Sequence, residues 1–385
     1  MSVRVDVQPR LLEWAVERAG WDRETTIDRV PSFSDWVAGV KKPTLKQLEK
    51  FARDTHAPLG LMFLPEPPHE TVPIPDMRTF GNKQVPRPSA DLLDTIYLCQ
   101  DRQDWYRTYV QTNDVEPPNL IPHVTTATPA TVVARHMREQ LDLPSLGHNV
   151  VYSRQQTIRH LIDRVEGLGV LVMINGVVGT NTHRKLNPQE FRGFALADPL
   201  VPLIFVNGAD TKAAQIFTLI HEFAHIILGS SALSDASTHL ENGMREEEWC
   251  NQVAAEVLVP LDALEHDFSG EESVEELERL SNTFQVSTLV ILKRLFDAHL
   301  ITWEEYRARY VTEQKRIGEI LASRKPSKPG GNFYNTQLTR LSRTFASAVI
   351  ASAMEGSTAY RQAYQLLGTK KRSTFDTMAS ELGIA

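Results

Sequence analysis

Apolar residues over the first 64 positions recur at helical spacing. Leu11, Leu12, Ala15 and Ala19 fall on one face, and Gly20 ends it. A second helix is predicted from Thr44 through Leu45, Leu48, Phe51 and Ala52, with Thr44 as its N-cap after Pro43. Between 65 and 88 the pattern dissolves. Pro65, Pro67, Pro68, Pro73, Pro75, Pro86 and Pro88 forbid regular structure there, so this stretch reads as a linker, either extended or lying along a domain surface. Helical periodicity returns over 89–113, where Trp105, Tyr106 and Tyr109 read as core aromatics, and again over 126–142.

Near residue 154 the pattern turns to mixed α and β. A helix over 154–166 ends at Gly167 and Gly169. The run Val170-Leu171-Val172-Met173-Ile174 suits a buried strand, and 191–196 and 203–206 suit two more. A helix over 211–228 follows, with Asp210 or Thr211 as N-cap and Gly229 as its stop. The predicted fold is α+β and mostly helical, with a small antiparallel sheet and helical modules at both ends. Its expected divisions are a helical module at 1–64, the proline-rich linker at 65–88, a helical segment at 89–145, a mixed domain at 146–323, and a second linker (Arg324–Asn332) with a C-terminal helical module at 324–385.

The chain has 385 residues, too many for one compact core. Its formal net charge of −7 makes it no general polyanion binder, so any nucleic-acid contact needs a local basic patch. Two cysteines, Cys99 and Cys250, exclude a disulfide framework and a Cys-rich zinc ribbon. The N-terminus lacks the apolar run of a signal peptide, and no stretch approaches the ~20 apolar residues of a membrane span. A cytoplasmic protein without a membrane partner is therefore expected.

The sequence at 221–225 is His-Glu-Phe-Ala-His, inside the helix predicted over 211–228. Positions i and i+4 of a helix lie on one face, so both imidazoles can converge on one cation. Glu222 is displaced around the helix and would face a water in the metal's open position. Zinc with three protein ligands keeps a fourth position for water and lowers that water's pKa to about 7. A carboxylate beside it can take the proton and pass it to a leaving amine. The alternative is a buried helix whose histidines only pack or hydrogen-bond.

A third ligand is needed. The pattern HExxHxxGxxH is excluded, because Leu228 and Ser231 stand where its Gly and His would be. A glutamate on the following helix remains. The stretch Arg245–Leu258, REEEWCNQVAAEVL, ended by Pro260, offers Glu246, Glu247, Glu248 and Glu256. Asn251 lies at i+4 from Glu247, where its amide could hold a ligand imidazole in the right tautomer. Ala254, Ala255 and Leu258 set that face against the core. This favours Glu247, with Glu246 and Glu248 toward solvent and His239 as an alternative from the loop. Cys250, beside this face, reads as a small buried hydrophobe.

The stretch FTLIHEFAHIILG, followed by EEEWCNQVAAEVLVP, resembles the ImmA/IrrE family of metallopeptidases, gluzincin-like proteases of bacteria and their mobile elements. The resemblance extends upstream through FRGFALADPLVPLIFVN and is tightest over roughly 190–262. It continues more loosely through LPEPPHETVPIPDMRTF, DLLDTIYLCQDRQDWYR and GGNFYNTQLTR. It implies a zinc peptidase domain at 146–323, with Zn2+ held by His221, His225 and Glu247 and with Glu222 catalytic. It also implies the long form of the family, with an Xre-like helix-turn-helix at the N-terminus. Its implied substrate is a DNA-binding repressor, and some long-form members sit beside small toxin-like partners in the manner of antitoxins.

One departure concerns the N-terminus. Only Thr25–Ser34, with Pro31 in it, precedes Trp36-Val37-Ala38-Gly39, which is too little for a full recognition helix. The 1–64 module is thus expected to be degenerate, a relic or a protein-docking element. The C-terminus shows the opposite. TAYRQAYQLL over Thr358–Leu367 precedes Gly368, and Lys370-Lys371-Arg372 with Ser373-Thr374 leads into a helix bearing Phe375, Met378 and Leu382. A helix, a glycine turn and a basic helix start are the layout of a DNA-reading motif, with the cations on phosphate. A helical bundle with a solvated basic end is the alternative.

Three functions compete. A zinc endopeptidase acting on a regulator could hold extended substrate on an edge strand within 191–206, with His239 and Arg245 as oxyanion candidates. A transcription regulator or antitoxin-like binder, with the zinc fold structural, would tolerate Glu222→Gln. A non-peptidase zinc hydrolase also fits the motif.

Overall fold

The computed structural model describes residues 3–75, 88–120, 124–143, 153–234, 245–323 and 333–384. These divide into two compact units, 3–73 with 88–97, and 74–75 with 98–384.

In the first unit, α1 (Pro9–Arg18), α2 (Arg23–Arg29), α3 (Phe33–Val37) and α4 (Leu45–Asp54) precede a 3-10 turn at Leu59–Phe63. Thr44 caps α4 through a capping box with Gln47, as its sequence predicts. The core gathers Leu12, Trp14, Ala15, Leu48 and Met62 around Phe51, whose ring meets Trp21, Phe33 and Trp36. With seven residues in α2 and five in α3, no helix of recognition length lies between 20 and 44. α5 (Ala90–Thr112) begins in this unit.

The second unit contains α6 (Ala130–Gln140), α7 (Arg154–Gly167), β1 (Leu171–Asn175), β2 (Val177–Val178), β3 (Asn181–Lys185), β4 (Gly193–Leu196), β5 (Leu203–Asn207), α8 (Lys212–Leu228), β6 (Ala232–Ser234) and α9 (Arg245–Leu258). After these come α10 (Leu261–Asp267), α11 (Val274–Thr283), α12 (Thr288–Asp297), α13 (Trp303–Ser323), α14 (Phe333–Leu341), α15 (Arg343–Met354), α16 (Tyr360–Leu366) and α17 (Arg372–Glu381).

The main sheet runs β1-β5-β4-β6, while β2 and β3 form a separate ribbon. The sheet is mixed. β1 and β5 pair in parallel from Leu171↔Leu203 to Asn175↔Asn207, and β4 is antiparallel to both β5 and β6. Parallel neighbours need a long crossover, and residues 176–202 supply it. The expected edge strand within 191–206 is also corrected, because β4 and β5 are both interior. β6 closes the outer side of β4.

α8 packs on this sheet and against α7 and α9. It begins at Thr211, whose hydroxyl accepts from the Ala214 N–H, and stops at Gly229 in the left-handed conformation with φ of 71°. Nearly every α8 side chain is buried, in a core shared with Val172, Val206, Val253, Ala254 and Val257. The aromatic cluster of α5 is core packing. Trp105 stacks on Tyr109 at 5.6 Å and meets Phe345 of α15 edge-on at 5.8 Å. Among the described residues, no helix is long and apolar enough to cross a membrane. Cys99 and Cys250 are both buried free thiols. The predicted linker at 324–332 lies outside the described residues.

Candidate metal centre

Two turns of α8 set the site. His221 and His225 stand one turn apart on the same helical face, 4% and 0% exposed. A buried apolar helix carrying two imidazoles on one stripe requires partners for them. α9 supplies one from its first turn. Glu247 brings its carboxylate between the two rings, 3.1 Å from His225 Nε2 and 3.3 Å from His221 Nε2. The two Nε2 atoms are themselves 3.2 Å apart.

These three spacings test the fit to a metal. A tetrahedral zinc with bonds of about 2.0–2.1 Å to nitrogen or oxygen would have ligand atoms about 3.3 Å from one another. The observed donors lie close to that separation. Two neutral imidazole nitrogens facing each other also require a cation or proton between them. His221, His225 and Glu247 could therefore hold a metal ion, and they are the one such cluster among the described residues.

The electrostatics agree with that arrangement. Burial opposes charge on His221, but the carboxylates of Glu247 and Glu222 and a hydrogen bond to Asn251 outweigh it, and its pKa is raised. Burial dominates at His225, where the neighbouring His221 adds to the effect, and its pKa is lowered. Glu247 is buried too, yet the two histidines hold its carboxyl well below the usual range. The Glu247 carboxylate and the two imidazoles thus stabilise one another inside the fold.

Around the three donors are groups that orient them. Asn251, one turn along α9 from Glu247, interacts with the His221 side chain. Ser230, just past the Gly229 turn, has its hydroxyl 3.3 Å from His225 Nδ1. Sequence reasoning missed Ser230, although a small polar residue after a left-handed glycine is a readable signal. Glu222 is fully buried on the next position of α8. Its carboxylate lies against the backbone of β4, where a Cβ on Gly193 would stand 3.0 Å from Glu222 Oε1.

The competing acids are elsewhere. Glu256 pairs with Arg294, which also donates to the Val259 carbonyl at 2.9 Å. Glu246 is half-buried, Glu248 is exposed, and the oxyanion candidate Arg245 is exposed at the start of α9. His239 lies outside the described residues. Burial raises the Cys250 thiol well above its ordinary value, with the nearby carboxylates adding to it, so it is an inert core group. Lys370, Lys371 and Arg372 are exposed at the start of α17, where Arg372 pairs loosely with Asp376 at 3.7 Å.

Residues 165–296 match the family model described as the IrrE N-terminal-like domain, of the M78 peptidases. This stretch, which contains β1, α8 and α9, is thus similar to the IrrE-like domain of the M78 peptidases. Residues 341–381 match a family described as a domain of unknown function (DUF8813). No curated protein matches the chain.

Proposed function

We propose that this chain is a zinc-dependent endopeptidase that cleaves a DNA-binding repressor or a similar protein regulator. The observation that carries this reading is the triangle of His221, His225 and Glu247 donors at 3.1–3.3 Å, with Glu222 buried at its side in a peptidase domain. Zinc held there would act as a Lewis acid and bring the pKa of a water in its open position to about 7. Glu222 would accept the proton of the attacking water and deliver it to the nitrogen of the leaving amine. Burial keeps that carboxylate dry and its proton transfer short. Asn251 beside His221 and Ser230 beside His225 Nδ1 would orient the two imidazoles with Nε2 toward the centre.

The test is zinc content by elemental analysis on the wild-type chain beside His221→Ala, followed by cleavage assays against repressors with Glu222→Gln as control. About one equivalent of zinc, lost with His221, and cleavage lost with Glu222 are expected. Absence of zinc after reconstitution would abandon the reading.

A second reading is favoured by one observation. The exposed cations Lys370, Lys371 and Arg372 open α17 after the Gly368 turn, as a DNA-contacting or antitoxin-like regulator would require. In that case a toxin-like partner or DNA, not hydrolysis, would be the output, and Glu222→Gln would be tolerated. A mobility-shift assay with Lys370, Lys371 and Arg372 changed to Ala decides it, since equal shifts remove the DNA contact.

A further inference from the structure

β6 lies beside residues of the candidate centre at both of its ends. Two residues before it, Ser230 contacts His225 at 3.3 Å. At its far end Ser234 pairs with Gly193, the residue lying against Glu222. Its inner side is engaged by β4 through Gly193↔Ser234, Phe194↔Leu233 and Ala195↔Ala232.

In an antiparallel pair, alternate residues turn their N–H and C=O groups outward. Leu233 is the outward one on this three-residue strand, and its N–H is taken. It donates to the Pro75 carbonyl at 3.0 Å. The preceding Ile74 is 8% exposed, whereas Thr71, Pro73 and Pro75 around it are exposed. Residues 74–75 belong to the same compact unit as the sheet, although the chain immediately before them does not. The segment therefore meets the sheet edge beside the centre through one main-chain hydrogen bond at Pro75, with Ile74 buried next to it. A peptide docked on a sheet edge uses the same main-chain contact. Prolines flanking Ile74 remove N–H groups and the chain bends at Pro73 and Ile74, so the segment caps the edge without continuing the ladder.

We infer that the outer edge of β6 is where a peptide substrate pairs, and that this chain's own Ile74–Pro75 segment occupies that edge as an internal competitor. This rests on the peptidase reading above. A substrate must displace the segment, so the chain is restrained until Ile74 and Pro75 leave the edge. The chemistry implied for the partner is an extended stretch with an aliphatic side chain where Ile74 sits and a free carbonyl one residue later.

The experiment uses the full-length zinc-loaded chain with Ile74→Asp, and Ile74→Ala should the first not fold. The probe is fluorescein-labelled denatured casein. Its binding is read by anisotropy in a Glu222→Gln background and its cleavage in chains retaining Glu222. Hydrogen exchange at the Leu233 amide reports whether the segment has left the edge. The expected result is faster Leu233 exchange, casein binding tightened about tenfold, and cleavage raised with it. That factor corresponds to a segment docked about nine-tenths of the time. A free peptide with the sequence of residues 71–75 returns binding toward the wild-type value. Unchanged casein binding after Leu233 exchange has risen overturns the inference. Unchanged Leu233 exchange in both variants also overturns it, because the segment then never held the edge. Tighter binding without cleavage by any variant sinks the peptidase reading alone and leaves β6 as the peptide-pairing edge.

Discussion

At Gly193 the missing side chain sets how near the Glu222 carboxylate can come to the sheet. A Cβ there would stand 2.6 Å from Thr218 Cγ2, 2.8 Å from the Phe205 carbonyl and 3.0 Å from Glu222 Oε1. The Phe205 oxygen is backbone of the paired strand β5 and gives little, so β4 at this position and the two side chains of α8 must all shift. A displacement of about 1 Å in a catalytic group costs roughly a hundredfold in rate. Gly193→Ala is thus expected to lower kcat by about that factor with zinc content and KM unchanged, and a wild-type kcat would show that Glu222 is not held by this contact. Asn251 acts differently, on the metal and not the proton. Its hydrogen bond to His221 fixes the imidazole, and losing such a partner lowers metal affinity about 10- to 100-fold. Competition against a chromophoric chelator should show that loss in Asn251→Ala, while kcat at saturating zinc stays near wild type.

At the scale of elements, the site's two helices were legible because their signals are local. The His221/His225 spacing, the Thr211 cap and the Gly229 stop each lie within a few residues of what they determine. So does the i+4 relation of Glu247 and Asn251. The sheet was legible only in part. β1 and β5 are continuous apolar runs, but their parallel pairing is a long-range choice. β6 has three residues, too few to show alternation, and β3 is polar and mostly exposed, so neither rises above a loop in the sequence. Gly193 and Ser230 join the site through tertiary contact, which spacing along one element does not encode. The same distinction governs α11. Ser273 caps it, and Glu276 on its first turn bonds Arg279 and accepts from the Ser269 N–H at 3.0 Å. Arg279 above all, with the Ser269 contacts, pulls the Glu276 carboxyl from 4.5 down to about 2. A carboxyl depressed on folding stabilises the fold above its unfolded value and loses that contribution as pH falls toward its folded one. The melting-temperature gap between wild type and Glu276→Gln should then be constant from neutral pH to about 5 and close as pH approaches 2. A gap that persisted at the acidic end would mean that Glu276 acts by packing alone.

At the scale of the whole molecule, the helices after residue 333 pack on the sheet of the second unit. α14 lies on β1 and against α17, so one margin of the sheet is covered by the end of the chain. Two polar contacts secure that cover and a third ties its own helices together. The buried Arg102 donates to the Leu366 carbonyl at 3.2 Å, Gln337 donates to the Leu367 carbonyl at 3.1 Å, and Glu166 accepts from the Thr344 hydroxyl at 3.3 Å. Burial raises the Glu166 pKa against the pull of Ser342 and the Thr344 and Val172 amides, which marks a group with little contact to water. Phe345, Phe375 and Leu338 are nearly or fully buried in the same region. A chain ended after Ser323 would bare β1 and leave Arg102, a charge inside the fold, without its carbonyl. Stranding one buried charge costs about 3–5 kcal/mol, a large share of the ~5–15 kcal/mol that holds a typical protein folded. The truncated chain is therefore expected to lose its cooperative melting transition and its zinc together, although every proposed ligand is still present. A truncated chain that melts at the wild-type temperature with its zinc retained would instead make the C-terminal helices a separable module. The exposed Lys370, Lys371 and Arg372 would then be free to serve another partner without bearing on the peptidase domain.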